Sequence, residues 1–254
     1  MSSSIEVSVR DGIGRIVLND PPLNILTRDL LGRIRLGLEE LRRDDSLGVL
    51  VLSAMGKHFS AGADVKEHLP PEHLEMIPEF LETIGTLDAF PVPVIAAVQG
   101  RCLGGGFELV QAADLIIAGE SAVFGQPEIL LGVIAPAACA LLPRLQLGSA
   151  ADEMLFTGDP LPAPDALQAR LVRRVVPDTE LEEATMALAG RIARNSPAAL
   201  RLVKRALREG EGRTRADAME LAGHLYLDEV MATRDALEGL EAFMEKRVPE
   251  WAGR

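Results

Sequence analysis

The chain opens on strict alternation: Ile5, Val7 and Val9 are separated by polar residues, and "GRIVLN" follows after "RDG". A period of two predicts paired strands over 5–9 and 14–19 joined by a tight turn. "PPLNIL" interrupts the pattern, and then the period lengthens. Leu30, Leu31, Ile34, Leu38 and Leu41 fall on one helical face, with Thr27 placed to cap it. Residues 47–54 ("LGVLVLSA") are apolar without alternation, as in a strand buried on both faces of a parallel sheet. A helix over 71–90 separates it from a second such strand in "PVPVIAAVQG", and "LIIAG" at 115–119 is a third. Strands alternating with helices predict an α/β domain with crossover connections. Beyond about residue 177 the strand signal stops. Residues 178–210 and 214–247 read as helices, with Pro197 marking a helix start. The expected division is a core over 1–195 and a helical region over 196–254, with no linker between them.

Composition narrows the function. The chain has 254 residues, 48% hydrophobic and 25% charged, with a net charge of −12, which argues against a nucleic-acid partner. Its densest basic stretch, "RLVKRALREGEGRTR" (201–215), has helical spacing and interleaved acids, the pattern of a solvated helix face. No apolar run approaches the ~20 residues that span a bilayer, so no membrane partner is expected. "MSSSIEVSVRDG" lacks the basic and apolar regions of a signal peptide, and Cys102 and Cys139 alone give no disulfide framework. Both features lead to a cytoplasmic expectation.

Three segments carry candidate chemistry. "HFSAGADVKEH" puts small residues in the turn after the 47–54 strand, where a ligand can approach the backbone, although such a turn is usually only a turn. "QGRCLGGGFEL" puts three adjacent glycines at the start of a short helix, whose first N–H groups lack intrahelical partners and carry partial positive charge. The alternative there is close packing of helix on sheet, and the spacing is not a dinucleotide fingerprint. "GESAVFGQPEILLGV" sets a polar turn between apolar stretches and ends it with Glu128. A lone glutamate of this kind is commonly a surface charge. Two loops offering Glu108 and Glu128, twenty residues apart, match the paired carboxylates of acid–base catalysis.

"FSAGADVKE", "QGRCLGGGFEL", "AADLIIAGESAVFGQPEILLGV", "TGDPLPAPDALQARLVRRVVP", "NSPAALRLVKRAL" and "EGLEAFMEKR" occur in that order. Together they resemble the enoyl-CoA hydratase/isomerase (crotonase) family over essentially the whole chain. The resemblance implies an α/β crotonase fold of repeated ββα units with a helical C-terminal region that makes intersubunit contacts in a homotrimer or hexamer. It implies a hydro-lyase that adds water to an α,β-unsaturated acyl-CoA, with no separate cofactor because coenzyme A is part of the substrate. Carried over by position, the Ala63 and Gly105 N–H groups form an oxyanion hole, where a donor is commonly worth ~3 kcal/mol. Glu108 deprotonates water for attack at the β-carbon, and Glu128 gives a proton to the α-carbon. Ala61, Gly62, Asp64, Val65, Lys66, Gly104 and Pro136 are the implied substrate-binding residues, with the "AGADV" backbone cradling adenine. Lys57 and Lys66 are candidates for the CoA phosphates, although an exposed lysine is more often a surface charge. A Δ-isomerase using mainly Glu128 and a non-catalytic acyl-CoA- or RNA-binding homologue are the alternatives. Retention of both glutamates counts against the latter, and the net charge counts against RNA.

The chain departs from the straight-chain pattern at "IAPAACALLPRL", where the resemblance expects "IPGAGGTQRL". The glycine whose N–H would face the catalytic water is replaced by Pro136, which has none. Two further glycines become Ala138 and Cys139. Pro136 with Ala135, Ala137 and Ala138 is expected to form an apolar wall against a substrate ring, and Cys139 to be a small core residue. "KEHLP" and the tail "LYLDEVMATRDALEGLEAFMEKRVPEW" resemble the cyclohexa-1,5-diene-1-carbonyl-CoA hydratase branch of anaerobic aromatic degradation.

Overall fold

In the computed structural model, residues 4–145 and 147–254 are described; residues 1–3 of the segment read above for a leader lie outside them. β1 (Ser4–Arg10) and β2 (Ile13–Asn19) pair antiparallel from Ser4↔Asn19 to Arg10↔Ile13. Asp11 and Gly12 between them both have positive φ, 53° and 73°, as a two-residue turn between twisted strands requires. α1 (Arg28–Arg42) begins where the Leu30 N–H donates to the Thr27 hydroxyl at 3.2 Å. Next come β3 (Val49–Ala54), α2 (His73–Asp88), β4 (Val94–Val98), β5 (Arg101–Leu103) and α3 (Gly105–Gln111). β6 (Leu115–Gly119), β7 (Val123–Gly125), α4 (Pro136–Leu141), α5 (Ser149–Thr157) and β8 (Leu161–Pro162) continue the core. α6 (Ala163–Gln168), β9 (Arg174–Val176) and α7 (Leu181–Ala193) complete it.

The main sheet has the order β1-β2-β3-β4-β6-β9, parallel from β2 onward. Its central strands explain the unalternating apolar runs. Leu50, Leu52, Val94 and Ala96 face the cluster that includes α1, α2 and α3. Val49, Val51, Ile95 and Ala97 face a second cluster beneath α7. Successive side chains point to opposite faces, so both sets must be apolar. A second sheet, β5-β7-β8, has strands of two or three residues, too short for any period to show in the sequence.

The last helices are α8 (Pro197–Gly210), α9 (Arg215–His224) and α10 (Arg234–Glu245), with a π-helical turn at Leu225–Val230. Ser196 caps α8 ahead of Pro197, accepting the Ala199 N–H at 3.0 Å. α8 is fastened to the core through buried Lys204, whose Nζ reaches Asp114 at 2.8 Å and donates to the Val92 carbonyl at 3.1 Å. Trp251 Nε1 donates to the Arg194 carbonyl at 2.7 Å, bringing the chain end back to the foot of α7. Among the described residues, no helix is long and apolar enough to cross a membrane. Of the two cysteines, Cys102 is buried, but Cys139 is exposed, contrary to the expectation of a core residue. The inward face of α4 is taken by Ala137 and Ala138, and the next positions turn outward.

Candidate active site

Two chain segments leaving the main sheet run side by side toward α3. Ser60 and Cys102 form a parallel bridge, with the Ser60 N–H donating to the Arg101 carbonyl and the Leu103 N–H to the Ser60 carbonyl. Three residues further along each segment come Ala63 and Gly105. Leu26 forms a parallel bridge with Ala63: its N–H donates to the Gly62 carbonyl at 2.9 Å, and its carbonyl accepts the Asp64 N–H at 3.2 Å. That pairing turns the Ala63 N–H to the opposite side of its segment. Gly105 is the first residue of α3, so its N–H has no intrahelical acceptor.

A side chain at each of the three adjacent glycines would meet a different neighbour. Gly104 has φ 51° and ψ −131°, and a Cβ there would stand 2.6 Å from Glu128 Oε1. At Gly105 a Cβ would lie 3.0 Å from Phe80 Cε2 and 3.3 Å from the Ala63 Cβ. At Gly106 it would meet the Ser60 Cβ at 2.5 Å, so this glycine is there for packing. The partner loop is held by Asn24, which is buried with φ 49°. Its side-chain amide donates to the Met55 and His58 carbonyls at 3.0 and 2.9 Å, and its backbone carbonyl accepts the Ser60 hydroxyl at 2.7 Å. "PPLNIL" is thus more than a break between periods, and the asparagine set among its apolar residues is the sequence signal for it.

Glu108 lies one turn into α3 and is 3% exposed. Its Oε1 accepts the Ala137 N–H at 2.8 Å and the Ala138 N–H at 2.9 Å. Burial pushes its pKa up to about 7, aided by the nearby Glu128 charge and opposed by the two N–H donors. Glu128 sits in the 3₁₀ turn Pro127–Leu131, and its Oε2 is buried without a protein partner. Burial raises its pKa too, against its own backbone N–H and the charge of His68. With both carboxylates raised, hydrogen bonds distinguish them. The two donors to Glu108 oppose its rise without cancelling it and leave it able to ionise near neutral pH, while Oε2 of Glu128 has no protein donor.

Both face one cavity of about 240 Å³. Ala61, Gly62, Ala63, Val65, Gly104, Gly105 and Pro136 line it with the two glutamates. Asp64 and Lys66 are not part of that lining: the Asp64 carboxylate accepts the Lys66 N–H at 2.9 Å, capping the turn Val65–His68, and the Lys66 side chain is exposed. Residues that sequence reading missed complete the walls: His68, Met76, Ile77 and Phe80 on one side, Leu131, Val133 and Ile134 on the other. Of the expected wall at 135–138, Pro136 alone reaches the cavity; Ala135, Ala137 and Ala138 are buried in the core behind it. The N–H groups following Pro136 hold Glu108, so this proline begins the element that carries the base's donors. Lys57 lines a separate cavity of about 690 Å³, with Arg15, Arg101, Asp178 and Glu182. That cavity is larger, but its charged rim mixes both signs, and it contains neither glutamate nor the α3 N-terminus. Among the described residues, no group of three His, Cys, Asp or Glu could hold a metal ion.

Residues 8–254 match the family model described as enoyl-CoA hydratase/isomerase. The chain belongs to the enoyl-CoA hydratase/isomerase family. It is 37% identical over 246 residues to the cyclohexa-1,5-dienecarbonyl-CoA hydratase of Thauera aromatica, covering 96% of this chain and 95% of that protein. It is 38% identical over 238 residues to the mitochondrial enoyl-CoA hydratase of Pongo abelii, covering 92% and 82%. The crystal structure of the enoyl-CoA hydratase from Bacillus anthracis superposes with a TM-score of 0.92 at 35% identity, each chain covered in full (100%). The fold is therefore the crotonase fold, and the chain is an enzyme of the enoyl-CoA hydratase type, a hydro-lyase.

Proposed function

We propose that the cavity hydrates an α,β-unsaturated acyl-CoA. The thioester oxygen lies between the Ala63 and Gly105 N–H groups, which stabilise it as it gains negative charge. Glu108, ionised and steadied by the α4 N–H groups, takes a proton from water, and the hydroxide adds to the β-carbon. Glu128 gives its proton to the α-carbon. The observation that carries this reading is the pair itself: two carboxylates on one cavity, one tied to two donors and the other bare on Oε2. The "AGADV" backbone and Lys66 accompany the nucleotide at the cavity mouth.

The substrate class that fits best is a cyclic conjugated dienoyl-CoA. The ring of Pro136 stands where a water-directed N–H is absent, and Met76, Ile77 and Phe80 offer apolar surface. The relative from Thauera aromatica supports this choice by its name. Residues 196–254 act as the oligomerisation region: Leu227, Leu240, Phe243 and Met244 on these helices are exposed apolar side chains, as on faces that pair in a trimer.

The test is a substrate panel of crotonyl-CoA, longer enoyl-CoAs and cyclohexa-1,5-diene-1-carbonyl-CoA, followed by loss of the enoyl chromophore. Turnover of the cyclic diene well above crotonyl-CoA is expected. Efficient crotonyl-CoA hydration with the diene ignored would overturn the substrate class and leave the hydratase reading standing. A β,γ-unsaturated thioester that only shifts its double bond in deuterated water would make the enzyme an isomerase.

A further inference from the structure

Three titratable side chains line the acidic cavity among the described residues: Glu108, Glu128 and His68. The mechanism above leaves His68 unused. It ends the 3₁₀ turn Val65–His68 and is half-buried. Its Nδ1 lies 2.9 Å from the Asp64 carbonyl oxygen. A carbonyl oxygen only accepts, so that bond places a hydrogen on Nδ1 and leaves Nε2 as the ring nitrogen free to meet the cavity. In the same cavity Glu128 Oε2 is buried and without a protein partner. Both side chains line this cavity of about 240 Å³.

We propose that His68 is the proton relay of Glu128, carrying a proton between the cavity mouth and the buried carboxyl group through Nε2. This rests on the hydratase reading. After hydration Glu128 has lost its proton to the α-carbon, and Glu108 holds the one taken from water. The His68 imidazolium passes its Nε2 proton through a cavity water to Glu128 Oε2, and the neutral ring takes one from water at the mouth. Glu108 releases its proton to solvent as product leaves. One proton enters and one departs, so both glutamates return to their starting forms.

Asp64, Glu67, Glu75 and Glu79, four of the charged groups around His68, have other partners, while His73 Nδ1 is buried without one. On its own turn, Asp64 accepts the Lys66 N–H, Glu67 accepts the Arg28 N–H at 3.0 Å, and the Lys66 side chain is exposed. From α2 and the residue before it come Glu72, His73, Glu75 and Glu79; of these Glu75 and Glu79 are paired with Arg28 at 2.8 and 2.7 Å. None of these groups lines the cavity.

The test uses His68→Ala and His68→Gln in the full-length enzyme. Glu128→Gln serves as reference, and turnover and α-proton exchange in deuterated water are both measured. His68→Ala should lower kcat and exchange roughly 10- to 100-fold, at or just below the range of a positioned acid or base, with KM within about twofold. Added imidazole should restore part of both. His68→Gln, which keeps hydrogen bonding but cannot carry a proton, should stay slow with or without imidazole. Wild-type kcat in His68→Gln, a loss confined to KM, or no rescue of a folded His68→Ala would each overturn the relay. Unchanged α-proton exchange in Glu128→Gln would instead remove Glu128 from its own role, which is a failure of the hydratase reading.

Discussion

On the α3 side of the cavity, Glu108 grows from a buried helix next to Phe107, whose ring lies 5.3 Å from Phe124 at a tilt of 55°, and its Oε1 accepts both available N–H groups of α4. On the opposite side, Glu128 hangs from a short 3₁₀ turn among exposed Ile129, Leu130 and Leu131, with no protein donor for Oε2. The residue type is the same and the chemistry differs because the backbone around it differs. A carboxylate held by two donors is fixed in orientation and can give up its proton near neutral pH despite its burial. One left bare in a low-dielectric wall is prepared to keep a proton until something in the cavity takes it.

The harshest way to break this comparison is to remove what both walls serve. Gly105→Val pushes side-chain atoms into Phe80 and the thioester position, so kcat/KM should fall at least ~10²-fold with the circular dichroism unchanged. Near-normal turnover in the folded variant would take the Gly105 N–H out of the site. Separating the walls comes next. Glu108→Gln and Glu128→Gln should each cost about 10²-fold in kcat, but only Glu128→Gln should suppress exchange of the α-proton in deuterated water. Equal suppression by both would erase the division of labour.

A third measurement sharpens the comparison through stability. Glu108 is raised from the ordinary 4.5 to about 7, so the fold favours its neutral form. That contribution is complete below about pH 4.5 and is lost as pH rises through about 7. Replacing Glu108 with Gln should remove this dependence, leaving the variant about 3 kcal/mol better relative to wild type at pH 8 than at pH 4. Paired thermal unfolding at the two pH values reads the difference, and a constant offset would mean that Glu108 is not strained by burial. The smallest effect is expected at Pro136. Pro136→Gly should narrow the preference for a cyclic dienoyl-CoA over crotonyl-CoA by roughly fivefold, the scale of one hydrogen bond to water. An unchanged kcat/KM ratio would show that this position does not select the ring.

Much of the scaffold was legible because it is written in side chains. The apolar runs at 49–54 and 94–98, the Thr27 cap and the helix start at Pro197 each have a composition that permits few alternatives. Small residues at 61–63 and 104–106 likewise marked where the backbone must be approached closely. What the sequence concealed was backbone chemistry acting over distance. The donors to Glu108 come from residues 29 and 30 positions later, and an N–H has no identity of its own to read. The alanines of α4 therefore suggested an apolar wall when their contribution to the site is two hydrogen atoms. Strands as short as β8 left no period, and His68 and Phe80 sit at helical positions that ordinary surface or core residues could equally occupy.

The three glycines at 104–106 also decide where this enzyme can evolve. Position 106 is closed by Ser60, which has a hydroxyl already bound to Asn24, and position 104 is closed twice, by its backbone angles and by Glu128. Position 105 is different: the nearest atoms to an added methyl group belong to the ring edge of Phe80, a side chain that a second substitution can trim. In a library randomised across the triplet together with residue 80, diversity should therefore accumulate at one column only, as Gly105→Ala coupled to a smaller apolar residue in place of Phe80. New acyl groups would enter this lineage through that pair.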